Sequence, residues 1–188
     1  MTEGVERERR LAQAARSGDR RAFDELVMLH KASLYRFVRR YIGNADDAYD
    51  ILQDAFIAAW LDLRRFDPGR PFFPWLRTIA LNKCRDRGRR NAVRRRLLAL
   101  FGAGQPQVAA EPETNDDDAT EQRLHRLDQA IAALPSRYKE PLLLTVSGGL
   151  TQQQAAEQLG TSTKAVELRI RRAKKELAEA LGDLDTEG

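Results

Sequence analysis

Apolar positions recur along this chain at steps of three and four and almost nowhere at steps of two, so the pattern predicts helices throughout and an all-α fold. The clearest segment is 46–63. Ala48, Ile51, Leu52, Ala55, Phe56, Ala59, Trp60 and Leu63 draw one continuous stripe. Asp46, Asp47, Asp50, Gln53 and Asp54 take the other side, close to the positively polarised helix N-terminus. Upstream, 7–17 reads as a short helix broken by Ser17-Gly18-Asp19. A longer one over 20–42 carries Phe23, Leu26, Val27, His30, Leu34, Phe37, Val38 and Tyr41 on one face and stops at Gly43-Asn44, a C-capping pair.

The loop 64–71 holds the turn sequence Asp67-Pro68-Gly69, and a helix opens at Pro74, where a first-turn proline lacks only an N–H the helix does not use. That helix, 74–90, has two halves. Trp75, Leu76, Ile79 and Ala80 fall at core spacing; from Arg77 the other face turns basic, with Lys83, Arg85, Arg87, Arg89 and Arg90 against Asp86 alone. Phe72, Phe73 and Trp75 crowd its start. Aromatics that stack on bases, beside cations that pair with phosphates, suit unpaired nucleic acid. A core helix with a solvated basic tail accounts for the same residues equally well.

After Leu97–Phe101 periodicity stops. Residues 102–120 are rich in Gly, Pro, Ala and acids, the composition of a flexible linker. Leu124, Leu127, Ile131 and Leu134 then mark a helix ended by Pro135-Ser136. A short apolar helix follows over 138–146, with Pro141 in its first turn or kinking it, and Ser147-Gly148-Gly149 closes it. The most specific local pattern is 151–175. Thr151 and Gln154 have capping-box spacing, Ala155, Ala156 and Leu159 make a small apolar face, Gly160 permits a turn, and Thr161 or Ser162 caps the next helix. That helix turns Val166, Ile170, Ala173, Leu177 and Leu181 inward and leaves Lys164, Arg169, Arg171, Arg172, Lys174 and Lys175 outside. Short helix, glycine turn and long basic helix form a helix-turn-helix, and the basic bias, opposed by Glu167 and Glu176, favours duplex DNA over an ordinary helical hairpin. The expected architecture is two small helical domains, 1–96 and 122–188, joined by a flexible acidic linker at 97–121.

Composition agrees with a soluble chain: 188 residues, 42% hydrophobic and 32% charged. The net charge is only +4, but basic clusters at 83–96 and 164–175 flank a stretch from 97 to 122 with no Lys or Arg. Two basic modules around an acidic connector point to nucleic acid rather than membrane. Cys84 is the sole cysteine, so no internal disulfide forms. The charged start MTEGVERERR does not read as a signal peptide and no apolar run reaches bilayer length, so a cytoplasmic protein is expected. His30 and His125 lie far apart with no Ser or Cys pairing, and the aspartates of 46–54 share one helix without convergent partners. No enzymatic activity, cofactor or metal site is expected.

In order and spacing, Ser17-Gly18-Asp19 with Ala22-Phe23, the run from Asp46 to Phe56, Phe72 with Trp75-Leu76, Asn82 with Asp86, Leu134-Pro135 and the helix-turn-helix resemble the extracytoplasmic-function (group 4) sigma factors, over nearly the whole chain. The resemblance implies a promoter-recognition subunit that binds core RNA polymerase, opens DNA and answers to an anti-sigma factor in stress responses. It implies that Asp47, Asp50, Gln53 and Asp54 dock on the β′ clamp helices, with the β subunit as a further contact. Arg64, Arg65, Phe66, Arg70 and Phe72 match the loop that captures a base flipped at the −10 element, and Trp75, Asn82, Arg85, Asp86 and Arg89 match the adjoining helix. Unstacking a base costs a few kcal/mol, which such a pocket offsets. Ser162, Thr163, Lys164, Glu167, Leu168, Arg171, Arg172 and Lys175 match the readers of the −35 duplex, and the linker matches a segment threading the polymerase near its RNA exit path. The chain departs from the family pattern at Tyr49, where another acid is usual, at Ala165-Val166-Glu167 and at Pro74. An autonomous helix-turn-helix regulator is the alternative, and it leaves 46–90 without a purpose.

Overall fold

The computed structural model describes residues 2–100 and 119–182, and every regular element among them is helical. Most of the stretch expected to be a flexible linker lies outside the described residues. The helices are α1 (Thr2–Arg16), α2 (Arg20–Ile42), α3 (Ala45–Asp62), α4 (Phe72–Leu100), α5 (Ala119–Ala133), α6 (Ser136–Leu142), α7 (Gln152–Leu159) and α8 (Thr163–Gly182), with a 3-10 turn at Leu63–Arg65 and a π turn at Leu143–Ser147.

Local chemistry sets most boundaries. The Asp19 carboxylate accepts from the N–H groups of Arg21 and Ala22 and starts α2. Gly43, in the left-handed region at φ 82°, ends it; a Cβ there would also stand 2.7 Å from Ala132 Cβ, so both backbone and space require glycine. Asn44, expected as part of that C-cap, instead caps α3, accepting from Asp47 N at 2.9 Å. Thr151 and Gln154 form the expected capping box, worth about 1 kcal/mol, and Gly160 turns the chain at φ 62°.

Several boundaries differ from expectation, among them the end of α4, which runs on to Leu100. Helix α1 begins at Thr2, ahead of residue 7. Helix α4 starts at Phe72, two residues before Pro74, because the N–H groups of Phe72 and Phe73 both donate to Glu8 Oε1 of α1, at 3.0 and 3.1 Å. The expected helix 138–146 is instead Ser136–Leu142, with Pro141 inside it, running into the π turn. Pro141 has no N–H to donate back, and Thr145 Oγ1 donates to the carbonyls of Pro141 and Leu142 at 2.9 and 3.2 Å as the coil widens.

Helix α2 packs on α1, α3 and α4, with Leu26, Leu34, Phe37, Ile51, Leu76 and Leu81 almost fully buried between them. Each such side chain contributes about 1.5–3 kcal/mol. Helix α8 packs on α5, α6 and α7 through Val166, Ile170, Ala173 and Leu177. The two halves are joined: α5 and the π turn lie against α2.

Candidate nucleic-acid interface

On α3, Asp50, Gln53 and Asp54 are exposed and Asp47 is half-buried. Arg87 of α4 reaches across and donates to Asp47 Oδ1 at 2.9 Å and Asp50 Oδ2 at 3.2 Å. Ile57 and Leu61 continue the exposed face toward the helix C-terminus, at 59% and 74% exposure. Neither was singled out from the sequence, although two large apolar residues falling off the core stripe were the signal available. Trp60, assigned to that stripe, is 37% exposed and packs on Phe23 with ring centroids 5.0 Å apart. Tyr49 is exposed against Tyr35, at 4.5 Å.

In the loop, Arg64, Arg65 and Arg70 are exposed. Arg65 pairs with Asp62 at 3.5 Å and Arg70 with Asp67 at 3.7 Å, both on the surface. Phe66 and Phe72 are interior, 2% and 1% exposed. They pack on each other at 5.5 Å and on Trp75 at 4.9 and 5.5 Å, so these two rings floor the loop and do not face outward for a base; Trp75 stays partly exposed.

The basic face expected of α4 divides. Arg77 is not on it at all: the side chain is fully buried, its three guanidinium nitrogens lack hydrogen-bond partners among the described residues, and it lies 5.0 Å from the Phe73 ring and 5.9 Å from that of Phe37. Burial pulls its pKa down to about 10, which still leaves it charged at neutral pH. Arg87 serves α3, and Arg89 pairs with Asp86 one turn back. Asn82 is exposed and accepts from Arg85 NH1 at 3.3 Å. Arg85 itself turns to the second half of the chain, donating to Glu140 Oε1 from Nε at 2.9 Å and to Oε2 from NH2 at 2.5 Å. The bond to Glu140 holds the Arg85 pKa above its ordinary value.

Thr163, Lys164, Glu167, Leu168, Arg171, Arg172 and Lys175 are all exposed on α8, and Ser162 is exposed just before it. Ser162 Oγ caps the helix by accepting from Ala165 N at 3.2 Å. Arg172 pairs with Glu176 at 3.1 Å and Lys175 with Glu179 at 3.5 Å; Lys164 and Arg171 have no bonded side-chain partner among the described residues. An exposed helix with free cations at its start and middle can enter a major groove and meet both base edges and phosphates.

Further polar contacts join the halves. Lys139 Nζ donates to the carbonyls of Tyr41 and Ala132 at 2.9 and 2.6 Å, and burial lowers its pKa. Tyr41 OH donates to Glu140 Oε1 at 3.0 Å. Arg40 donates to Asp128 at 3.0 Å and Ser147 at 3.1 Å, and Gln158 to Thr78 at 2.9 Å. Cys84 is fully buried and close enough to Lys139 and Glu140 for their charges to act on it; burial pushes its pKa up to about 12. No group of His, Cys, Asp and Glu among the described residues has the arrangement of a metal site, and no described helix is long and apolar enough to cross a membrane.

An acidic helix beside a basic one in the first half, and an exposed helix-turn-helix in the second, define a two-part helical transcription factor. Residues 26–94 match the Sigma-70 region 2 family and residues 124–177 match Sigma-70, region 4. The chain is 40% identical over 185 residues to the RNA polymerase sigma factor CnrH of Cupriavidus metallidurans, covering 96% of each. It is 30% identical over 175 residues to the ECF RNA polymerase sigma factor SigW of Bacillus subtilis, covering 90% of this chain and 94% of that one. Its fold is similar to CnrH as solved in complex with the cytosolic domain of CnrY, with TM-score 0.68, 34% identity and 94% and 98% of the two chains covered. It is similar too to the sigma factor RpoE in complex with the anti-sigma factor NepR from Bartonella quintana, with TM-score 0.68, 25% identity and 85% and 96% covered. The chain belongs to the extracytoplasmic-function sigma factors, which bind core RNA polymerase and direct it to promoter DNA.

Proposed function

We propose a division of labour within this sigma factor. Helix α3 docks on the β′ clamp helices through Asp47, Asp50, Gln53 and Asp54. The loop arginines Arg64, Arg65 and Arg70, with Trp75, Asn82, Arg85, Asp86 and Arg89, engage the −10 element and help to open it. Helix α8 reads the −35 duplex through the eight residues from Ser162 to Lys175 named above. Residues 1–96 and 122–188 act as the two working domains. The observation that carries this reading is the α8 surface: every expected reader is exposed, on or at the start of a helix that follows the Gly160 turn and is capped by Ser162. The chain works in the cytoplasm, without catalytic groups or a cofactor of its own. The complexes of CnrH with CnrY and of RpoE with NepR support control by an anti-sigma factor.

The test is co-elution with bacterial core RNA polymerase, followed by transcription from a promoter library at stated salt. Stable binding with start sites sharing two short upstream elements is expected. Duplex binding without polymerase association would overturn the docking assignment and leave a helix-turn-helix regulator.

A further inference from the structure

The start of α4 is capped from outside its own segment. The four positions whose N–H groups a helix leaves unused run here from Pro71 to Pro74. The two prolines have no N–H, and Pro71 has no side-chain acceptor to serve as a cap. The other two donors, Phe72 N and Phe73 N, both go to Glu8 Oε1 of α1, at 3.0 and 3.1 Å. The second oxygen of that carboxylate lies 3.6 Å from His30 Nε2 of α2, and the side chain is 20% exposed. About two turns further along α1, Arg16 Nε donates to the carbonyl of Arg64 at 3.4 Å. Between these two points Ala12 and Ala15 seat α1 in the core. One helix thus holds the loop 64–71 at its entry and at its exit. The loop's middle is shaped by Asp67, whose Oδ1 accepts from Gly69 N at 2.9 Å and whose carbonyl accepts from Arg70 N at 3.0 Å. Helix α1 lies ahead of the residues that match Sigma-70 region 2, which begin at 26.

We propose that α1 is a brace for the −10 loop, and that Glu8 and Arg16 are positioning residues for base capture without touching DNA themselves. This rests on the reading of Arg64, Arg70 and Trp75 as −10 contacts. Glu8 sets where α4 begins, and with it the placing of Trp75 and of the chain just after Arg70. Arg16 sets where the loop leaves the 3-10 turn. Phe66 and Phe72 anchor the floor of the loop, while the exposed Arg64 and Arg70 ride on backbone that α1 fixes at both ends. Capture of an unstacked base is strongest when its contacts are in place beforehand, because ordering them during capture is subtracted from binding. The brace supplies that order from a segment that carries none of the contacts.

The experiment uses the full chain bound to core RNA polymerase, on a duplex promoter selected from the library and on its single-base −10 variants. Strand opening is followed by the permanganate reactivity of −10 thymines. Glu8→Ala is expected to slow opening about tenfold, the effect of a lost helix cap. It should also narrow the ratio between the selected −10 element and its variants severalfold, with co-elution with polymerase and −35 duplex affinity as in the wild type. Glu8→Gln keeps an oxygen that accepts from both N–H groups and should restore rate and ratio together. Arg16→Ala, at an exposed residue, should move both the same way by a smaller amount, and it decides the matter should Glu8→Ala fail to fold. Slowing that is equal on every −10 variant, with the ratio intact, would make Glu8 a stabilising contact alone and overturn the brace. Wild-type rate and ratio in the folded alanine variants, with both lowered by Arg70→Ala, would overturn the brace and leave the −10 reading of the loop standing. Wild-type behaviour in Arg70→Ala as well would overturn that reading and the brace with it.

Discussion

Arg87 ties α4 to the acidic helix, donating to Asp47 at 2.9 Å and to Asp50 at 3.2 Å from the two arms of one guanidinium. The two aspartates are not equivalent. Asp47 is half-buried beside Arg87, whereas the Asp50 side chain is 66% exposed. Gln53 and Asp54 have no side-chain bond among the described residues. Asp50→Ala with Gln53→Ala should therefore abolish polymerase binding in a pull-down while unfolding stays within about 0.5 kcal/mol of wild type. Asp47→Ala should lose both, with stability down by about 1–2 kcal/mol for a partly buried charged hydrogen bond. Full retention of polymerase by the double variant would return this face to solvent.

On α8, Arg171 has no bonded side-chain partner among the described residues, while Arg172 is partnered by Glu176. Arg171→Ala should weaken binding to a selected −35 duplex by about 1–3 kcal/mol and relax preference at one base pair, as expected of a base-reading arginine. Arg172→Ala should cost less and act more evenly across sequences, since a phosphate contact there must first compete with Glu176. Titrations against the selected duplex and its single-base variants separate the two. Unchanged affinity in both would remove this helix from the interface.

Features built from neighbouring residues were legible in the sequence. The α3 stripe, the Thr151 cap and the Gly160 turn each lie within one short continuous stretch of chain, and the periodicity carried the all-α fold. What the sequence concealed is contact between distant segments. Arg77 belongs to a basic run, and only the meeting of Phe37, Phe73 and Gly148 around it makes it interior. Glu8 caps a helix 64 residues away, and Glu140 engages Arg85 across 55. Helical spacing identifies a face but not what covers it. For the same reason the stacking and core readings of Phe72 stay level in the sequence until its packing on Phe66 is seen.

Arg77 provides a stability test with an unusual sign. Removing a buried arginine ordinarily destabilises a protein by leaving its partner unpaired, but here no hydrogen-bonding partner among the described residues is left to be stranded. Arg77→Met keeps most of the apolar contact with Phe37 and Phe73 and abolishes the desolvated charge. Urea unfolding of the full chain at neutral pH should show a gain of at least about 1 kcal/mol. A loss would mean that the guanidinium is bonded in solution, through water held in the seam.

His30 should make the first module sensitive to mild acid. Its ring is buried, stacked on Phe73 at 4.8 Å with Phe72 at 5.8 Å, and Nε2 lies 3.6 Å from Glu8 Oε2. Burial lowers its pKa below the ordinary 6.5, against a smaller opposing pull from the Glu8 carboxylate. The folded chain thus holds the imidazole neutral to lower pH than the unfolded chain does. Stability is full above about 6.5, where both states are neutral, and falls as pH drops from there toward the lower folded value, because the unfolded state takes up the proton first. Urea midpoints at pH 7.5 and 5.5 should fall further for the wild type than for His30→Gln, which cannot titrate. Equal falls in both chains would assign the acid sensitivity to carboxylates elsewhere and leave His30 as packing alone.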